Sequence, residues 1–570
     1  MSTTAEPALG GVPRRGSGAP AVLQVRELSV AYATGRGRLG QVTHEVSLSI
    51  GAGDVVALVG ESGSGKTTTA QSIIGLLPGT GAIVGGQVLL AGTDITGWSD
   101  QRMADIRGSR IGWIPQDPNN SLNPVKRIGD SLAEVLQIHR WADKAAIAER
   151  VIELLRRVGI PEPAERARQY PHELSGGMKQ RVLIASAIAL KPALIIADEA
   201  TSALDVTVQR TILDLLDELR EETGAAILLV THDLAVAADR ATEVVVLSGG
   251  RVVESGPKQQ VLSHPRSDVT RQLLADAPAF ARHARRGVAE VREKLAAAAE
   301  QPPAIEAIDL VQDFRLGARS LRAVDRVSFT VAPGTTHALV GESGSGKTTT
   351  ARAVMAFTRP TSGQVRIAGT DVLALGSKQL RQFRARVQMV YQNPFSSLDP
   401  RQSVAEIVGE PLRNFGPRGR AGRRVRADRV SELLESVALP GELGRRRPAA
   451  LSGGQRQRVA IARALAPNPE VLVLDEAVSA LDVSVQAQIL DLLARLQDEL
   501  GVSYLFISHD LAVVRDLAHT VSVLSAGRVV ESGITEEVFA HPAQPYTQAL
   551  LEAIPGRAGL APAGAAEETR

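Results

Sequence analysis

Cysteine is absent from all 570 residues. Its absence excludes a disulfide framework, a thiolate metal site and a cysteine-ligated iron–sulfur cluster, and it fits a reducing compartment. An excess of charge of one sign is also lacking. The 64 Lys and Arg stand against 62 Asp and Glu, a formal net charge of +2, so no global field draws the chain to nucleic acid. Long apolar runs are missing as well: Ala225-Ala-Ile-Leu-Leu-Val230 falls far short of the roughly 18 residues that span a bilayer. The start, Met1-Ser-Thr-Thr-Ala-Glu6, carries no apolar signal-peptide core. These absences predict a soluble or peripherally bound chain that relies on other chains for any membrane pathway, and they weaken a nucleic-acid reading without excluding it.

Against that background one eight-residue string occurs twice, as Gly60-Glu-Ser-Gly-Ser-Gly-Lys66-Thr67 and Gly341-Glu-Ser-Gly-Ser-Gly-Lys347-Thr348. The pattern G-x-x-x-x-G-K-[ST] is a phosphate-binding loop: glycines let backbone N–H groups turn inward on a triphosphate and the lysine reaches its outer oxygens. Such a loop needs a strand before it and a helix N-terminus after it. Asp54-Val-Val-Ala-Leu-Val59 and Thr336-His-Ala-Leu-Val340 read as the strands, and helix-forming stretches begin at Thr68 and Thr349. The predicted phosphate-binding residues are Gly60, Ser62, Gly63, Gly65, Lys66, Thr67 and Thr68, with Gly341, Ser343, Gly344, Gly346, Lys347, Thr348 and Thr349 in the second copy. The Thr67 and Thr348 hydroxyls are placed to hold Mg2+.

The doubling extends along the chain. Ser175 and Ser452, Glu199 and Glu476, and His232 and His509 each lie 277 residues apart, whereas the two lysines lie 281 apart. A tandem duplication of one domain follows, with the four-residue excess assigned to a loop, Pro78-Gly-Thr-Gly-Ala-Ile-Val-Gly-Gly86 against Arg359-Pro-Thr-Ser-Gly363. The length exceeds what one core supports. We divide it into a disordered lead (1–20), a first domain with C-terminal extension (21–277), a linker (278–303), a second domain with extension (304–555) and a disordered tail (556–570). The linker's Arg282-His-Ala-Arg-Arg286 run and the alanine-rich stretch after it predict a partly helical connector ended by Pro302-Pro303. Between Gln116 and Ser175, apolar positions at helical spacing, as in Ala145–Arg156, read as an inserted helical subdomain.

Two apolar strand runs, Ala193–Ala197 and Val471–Leu474, end in adjacent carboxylates, Asp198-Glu199 and Asp475-Glu476. Beside a phosphate loop the first carboxylate can orient Mg2+ and the second can face an attacking water. His232 and His509 follow the runs Ile227–Val230 and Tyr504–Ile507, where a ring can reach the γ-phosphate and the water. Glu199, His232, Glu476 and His509 are the predicted catalytic residues.

The chain thus resembles the ATP-binding-cassette (ABC) ATPases, with nearly its whole length covered by two such domains. The resemblance implies an α/β fold of tandem P-loop NTPase domains, each with an N-terminal antiparallel β subdomain and an inserted helical subdomain. Leu174-Ser175-Gly176-Gly177-Met178 and Leu451-Ser452-Gly453-Gly454-Gln455 resemble the family signature, which in the family closes over nucleotide on the opposite domain. Two composite sites are implied, by intramolecular pairing of the halves. One joins Lys66, Gln116, Asp198, Glu199 and His232 to Ser452, the other Lys347, Gln392, Asp475, Glu476 and His509 to Ser175. ATP and Mg2+ are the expected cofactors, the metal held by Thr67, Gln116 and Asp198 and by Thr348, Gln392 and Asp475. Tyr32 and Phe314 match the aromatic that stacks on adenine. Ala200 and Ala477 stand where proline is more usual, and Ser202-Ala-Leu-Asp205 and Ser479-Ala-Leu-Asp482 resemble the loop by which each domain senses the other's site.

Gln116-Asp-Pro-Asn-Asn-Ser-Leu-Asn-Pro124 and Gln392-Asn-Pro-Phe-Ser-Ser-Leu-Asp-Pro400 look like the extended glutamine loop of ATPases that power oligopeptide, dipeptide and nickel importers. His541-Pro-Ala-Gln-Pro-Tyr-Thr-Gln-Ala-Leu-Leu551 resembles that group's C-terminal extension. The first copy of the extension departs from it, with Asp268 and Val269 where the second has Pro545 and Tyr546. The implied function is ATP hydrolysis driving peptide import, with two transmembrane permease subunits and an extracytoplasmic substrate-binding protein, at the cytoplasmic face of the membrane. Import of nickel, glutathione or another small solute is an alternative. A second class is the soluble tandem-cassette group acting on ribosomes, whose best support here is the Arg-rich stretch 418–447. That stretch lacks aromatics for base stacking and reads better as a solvated or lipid-headgroup-facing surface.

Overall fold

The computed structural model describes residues 21–34, 38–201, 204–277, 287–316, 319–393, 397–416, 419–479 and 481–556. The lead, the tail beyond Gly556, the Arg282–Arg286 run, Ser202, Ala203 and Ala480 fall outside them. The chain divides into two compact units, one ending at Leu274 and one beginning at Ala275, with residues 205–210 grouped with the second.

Val55–Gly60, the strand leading into the first phosphate loop, is buried at every position. An uninterrupted apolar run of this length suits a strand covered on both faces, the usual state of a central parallel strand. It lies fourth in a six-stranded sheet ordered Ile111–Ile114, Leu194–Asp198, Ala226–Val230, Val55–Gly60, Glu243–Ser248 and Arg251–Pro257. The first five strands are parallel and the last is antiparallel. In the second unit the order is Val387–Val390, Val471–Asp475, Ser503–Ser508, Thr336–Val340, Thr520–Ser525 and Arg528–Ile534, with the same polarity.

Against one face of each large sheet packs a four-stranded antiparallel sheet, Arg38–Ile50, Leu23–Thr34, Gly81–Leu90 and Thr93–Asp94 in the first unit. Leu23, Leu28, Ile50, Leu58 and Ile73 are fully buried in the layer between them. At about 1.5–3 kcal/mol per fully buried large aliphatic side chain, this layer is a large contribution to the stability of the unit. The equivalent layer in the second unit centres on Ile305, Val331, Leu339 and Val365.

The helical insert follows the first strand of each large sheet. It comprises Ile128–Ile138, Lys144–Arg157 and Pro163–Arg166 in one unit, and Val404–Val408, Glu410–Phe415 and Gly419–Ser436 in the other. The connector also contains a helix, Val288–Ala298, seated on the second unit through buried Val291 and Ala298 and an Arg292–Glu537 ion pair.

The four-residue excess is strand rather than loop. Gly81–Leu90 has ten residues where Ser362–Ile367 has six. Tyr32, Ala31 and Val30 pair with Gly81, Ala82 and Ile83, while the second unit's pairing stops at Val311 with Ser362. Glycines at 79, 81, 85 and 86 hid the alternation of Ala82, Ile83 and Val84. Gly81 is needed there, because a Cβ would stand 2.7 Å from the Tyr32 ring.

The second unit also buries His337 completely, stacked on Phe329 with ring centroids 5.2 Å apart. Its ring nitrogens hydrogen-bond the Thr520 and Ser522 hydroxyls at 2.8 and 3.1 Å. Burial pushes its pKa down to about 3 from an ordinary value near 6.5. The unfolded chain therefore binds a proton that the folded chain refuses, and stability is lost as pH falls from about 6.5 towards 3. Chemical denaturation of wild type should show this acid limb, worth roughly 5 kcal/mol at full development. His337→Gln, whatever its stability at pH 8, should show a shallower one.

Candidate nucleotide sites

Four adjacent parallel strands end on one side of the large sheet, and each delivers one part of a site. Ile111–Ile114 leads to Gln116, Leu194–Asp198 to Glu199, Ala226–Val230 to His232 and Val55–Gly60 to the phosphate loop. Ligands in open α/β sheets bind beyond the carboxyl ends of the strands. The second unit repeats the arrangement with Gln392, Glu476, His509 and the loop after Val340.

Both phosphate loops depend on glycine backbone. Gly60 and Gly341 have φ of 149° and 145°, and a Cβ at either would lie 2.1 Å from the carbonyl oxygen of Leu247 or Leu524. Gly65 and Gly346, both at φ 100°, stand as left-handed N-caps of Lys66–Ile73 and Lys347–Val354. The loop N–H groups and each helix N-terminus therefore face the same space, a ready anion cradle. Lys66 Nζ donates to the carbonyls of Gly60 and Glu61 at 2.7 and 2.9 Å, and Lys347 Nζ to those of Gly341 and Glu342 at 2.7 and 2.8 Å. Ser62, Gly63, Ser343 and Gly344 form the exposed tips.

The carboxylate pairs divide into two roles. Thr67 Oγ1 donates to Asp198 Oδ1, and Thr348 Oγ1 to Asp475 Oδ1, both at 3.1 Å. Burial raises both aspartates, Asp198 to about 6, against the lowering effect of the threonine hydrogen bonds. Each neighbouring glutamate is drawn the other way. Burial would raise Glu199 and Glu476 too, but His232 and His509, with the loop lysines, more than offset it and hold them below the usual carboxylate range. His232 Nδ1 lies 3.2 Å from Glu199 Oε1, and His509 Nδ1 lies 3.4 Å from Glu476 Oε1. Gln116 and Gln392 reach the other carboxylate oxygen at 2.5 and 2.6 Å. An ionised glutamate clamped between a histidine and an amide is poised to accept a proton.

Sequence reasoning missed the backbone of these glutamates. Glu199 and Glu476 sit in the left-handed region, with φ of 46° and 47°. Their N–H groups bond to the carbonyls of Val230 and Ile507. Residues held in such conformations cost of order 1–3 kcal/mol and cluster at functional sites.

The remaining predicted residues take different positions. Tyr32 is half-buried with its hydroxyl 3.3 Å from Thr68 Oγ1, whereas Phe314 is 39% exposed. Ser175 and Ser452 cap the helices Gly176–Ile188 and Gly453–Leu465, leaving Gly176, Gly177, Gly453 and Gly454 in the first turns. The Ser452 cap is reciprocal, with Gln455 accepting from the Ser452 N–H; Met178 has no oxygen with which to do the same. Neither serine hydrogen-bonds the phosphate loop of its own unit among the described residues. One contact was unforeseen: the Tyr546 hydroxyl accepts from the Glu342 N–H in the second phosphate loop at 3.3 Å. Val269 holds the equivalent place in the first unit.

Residues 43–202 and 324–479 match the ABC transporter family, and residues 530–562 match the oligopeptide/dipeptide transporter C-terminal region. This chain belongs to the ABC transporter family. It is 40% identical to the oligopeptide transport ATP-binding protein OppD of Mycobacterium tuberculosis, over 94% of this chain and 98% of that one. It is 41% identical to the glutathione import ATP-binding protein GsiA of Salmonella typhimurium, over 94% and 89%. It is 43% identical to the peptidoglycan transport ATP-binding protein YejF of Agrobacterium fabrum, over 93% and 96%. The chain is an ATP-hydrolysing subunit of an ABC transporter. No described helix is long and apolar enough to cross a membrane.

Two outcomes follow for nucleotide chemistry. Glu199→Gln and Glu476→Gln should each remove the turnover of their own site by about 10²–10⁴-fold while leaving ATP binding intact, read by single-turnover hydrolysis and filter binding. Tyr546→Phe should weaken ATP binding at the second site by about 2- to 10-fold, the worth of one net hydrogen bond. It should be measured in a chain whose first site is disabled by Lys66→Ala, and unchanged affinity would show that the tyrosine does not steady the loop.

Proposed function

We propose that ATP hydrolysis by this chain drives import of peptides from the cytoplasmic face of the membrane. Two transmembrane permease subunits and an extracytoplasmic substrate-binding protein complete the assembly. The observation that carries the reading is the match of residues 530–562 to the oligopeptide/dipeptide transporter C-terminal region. Relatives named for oligopeptide, glutathione and peptidoglycan transport support a peptide-like substrate.

Both sites are proposed to turn over. The donor set fits Mg2+: a hard cation takes oxygen ligands, and in each unit a threonine hydroxyl already lies against an aspartate carboxylate. Thr67, Asp198 and Gln116, and Thr348, Asp475 and Gln392, would hold the metal, which would shield the charge of the phosphates. Glu199 and Glu476 would take the proton of the attacking water, with His232 and His509 orienting them. Pairing of the halves around ATP, each signature serine serving the other half's nucleotide, belongs to the same proposal. ATP would favour the paired state because it binds that state better.

A groove in the first unit suits a short permease helix. It encloses about 340 Å³ between the core, at Ile74, Leu76 and Trp113, and the helical insert, at Val135, Ile138 and His139. Leu76 and Ile138 are 45% and 65% exposed there. Phe357, ten residues after Lys347 as Leu76 is after Lys66, is likewise 44% exposed. Gln116 follows the same strand as Trp113, so a helix in the groove and the water-facing glutamate would share one lever.

Reconstitution with the cognate permeases and binding protein in ATP-loaded vesicles should give peptide accumulation. Ile138→Glu should abolish that uptake and the permease-dependent rise in ATPase, leaving the isolated chain's ATPase within about twofold of wild type. Accumulation of another solute class with peptides excluded would overturn the substrate assignment, and full uptake by Ile138→Glu would overturn the groove.

A further inference from the structure

The helical inserts of the two units differ in charge far more than their shared fold requires. Residues 125–173 carry nine Lys and Arg against eight Asp and Glu, whereas residues 401–450 carry eleven arginines against six acids. In the first insert three cations pair internally, as Lys126–Glu134, Arg150–Glu153 and Arg166–Glu162, and the exposed cations, Arg140, Lys144, Arg156 and Arg168, are scattered among nearly as many acids rather than clustered. In the second, Arg423, Arg424, Arg445, Arg446 and Arg447 are exposed and make no ion pair among the described residues.

These arginines flank one short helix. Gly419–Ser436, which carries Arg423 and Arg424, packs on Val404–Val408 through buried Val430 beside Gly409. The Arg445–Arg447 run joins the start of that same short helix, because the Val404 N–H bonds to the Arg446 carbonyl. Val425 stands in the midst of the arginines and is 55% exposed, and Phe415 at the end of the preceding helix is 37% exposed. An exposed arginine cluster with an apolar residue at its centre adds little to a fold and suits an anionic partner.

We propose that this face of the second unit binds the surface of an anionic bilayer directly, independently of any permease. Guanidinium groups match phosphodiester oxygens bidentately, and each basic residue near an anionic membrane is worth about 1 kcal/mol. Val425 supplies the apolar tip that settles at the headgroup boundary. Nucleic acid is disfavoured because the face offers no array of aromatics on which bases could stack. The contact would give the second unit a membrane anchorage that the first lacks.

The test is flotation of the purified full chain with phosphatidylcholine vesicles, with and without phosphatidylglycerol, in the absence of permease. Binding should require the anionic lipid and fade as salt rises. Arg423→Gln/Arg424→Gln should cut the bound fraction roughly tenfold, and Arg445→Gln/Arg446→Gln/Arg447→Gln should cut it comparably. Unchanged ATPase activity in the Arg423→Gln/Arg424→Gln chain would certify its fold. Equal flotation on neutral vesicles, or retention by both variants, would overturn the proposal. So would failure to float combined with arginine-dependent binding of single-stranded RNA, which would also reopen the ribosomal class. Because neither peptide nor permease is present, failure here leaves the import reading standing.

Discussion

Glu199 and Glu476 are each held in left-handed backbone at the end of a fully buried strand, and the rest of both sites is arranged around that constraint. A bond to the neighbouring strand fixes the residue, a histidine and a glutamine take its two carboxylate oxygens, and the preceding aspartate turns to the loop threonine. Four strands must end in register for these contacts to coexist, so the parallel sheet is what makes the chemistry possible. Adjacent carboxylates are thereby driven to opposite protonation tendencies, the aspartates raised by burial and the glutamates lowered by their histidines.

The two halves share this machinery and differ at its edges. Tyr546 touches the second phosphate loop where the first unit has Val269, and Gln455 completes a cap that Met178 leaves one-sided. The charge of the helical inserts diverges as well. These differences surround the reacting groups without altering them, consistent with two sites of the same chemistry set in different mechanical surroundings.

Much of this was legible in the sequence because the chemistry is written in short strings at fixed places. The loop glycines, the lysines, the Asp-Glu pairs and the histidines all arrive at one end of the sheet from strands whose apolar runs announce them. What was not legible depends on long-range contact. The extra strand residues at 81–84 were masked by the glycines around them, one of which, Gly81, lies against the Tyr32 ring, a constraint invisible until strand and ring are placed together. The left-handed glutamates have no local signature, since nothing in Glu-Ala predicts positive φ. The Tyr546 contact joins residues some two hundred positions apart.

The central claim is that one chain holds two complete nucleotide sites. Equilibrium dialysis of ATP against the Glu199→Gln/Glu476→Gln chain, in which bound nucleotide is not consumed, tests it most directly. Two ATP molecules bound per chain, falling to one with either Lys66→Ala or Lys347→Ala, is the predicted result. A single ATP per chain, abolished by one of those lysine changes and untouched by the other, would contradict the account.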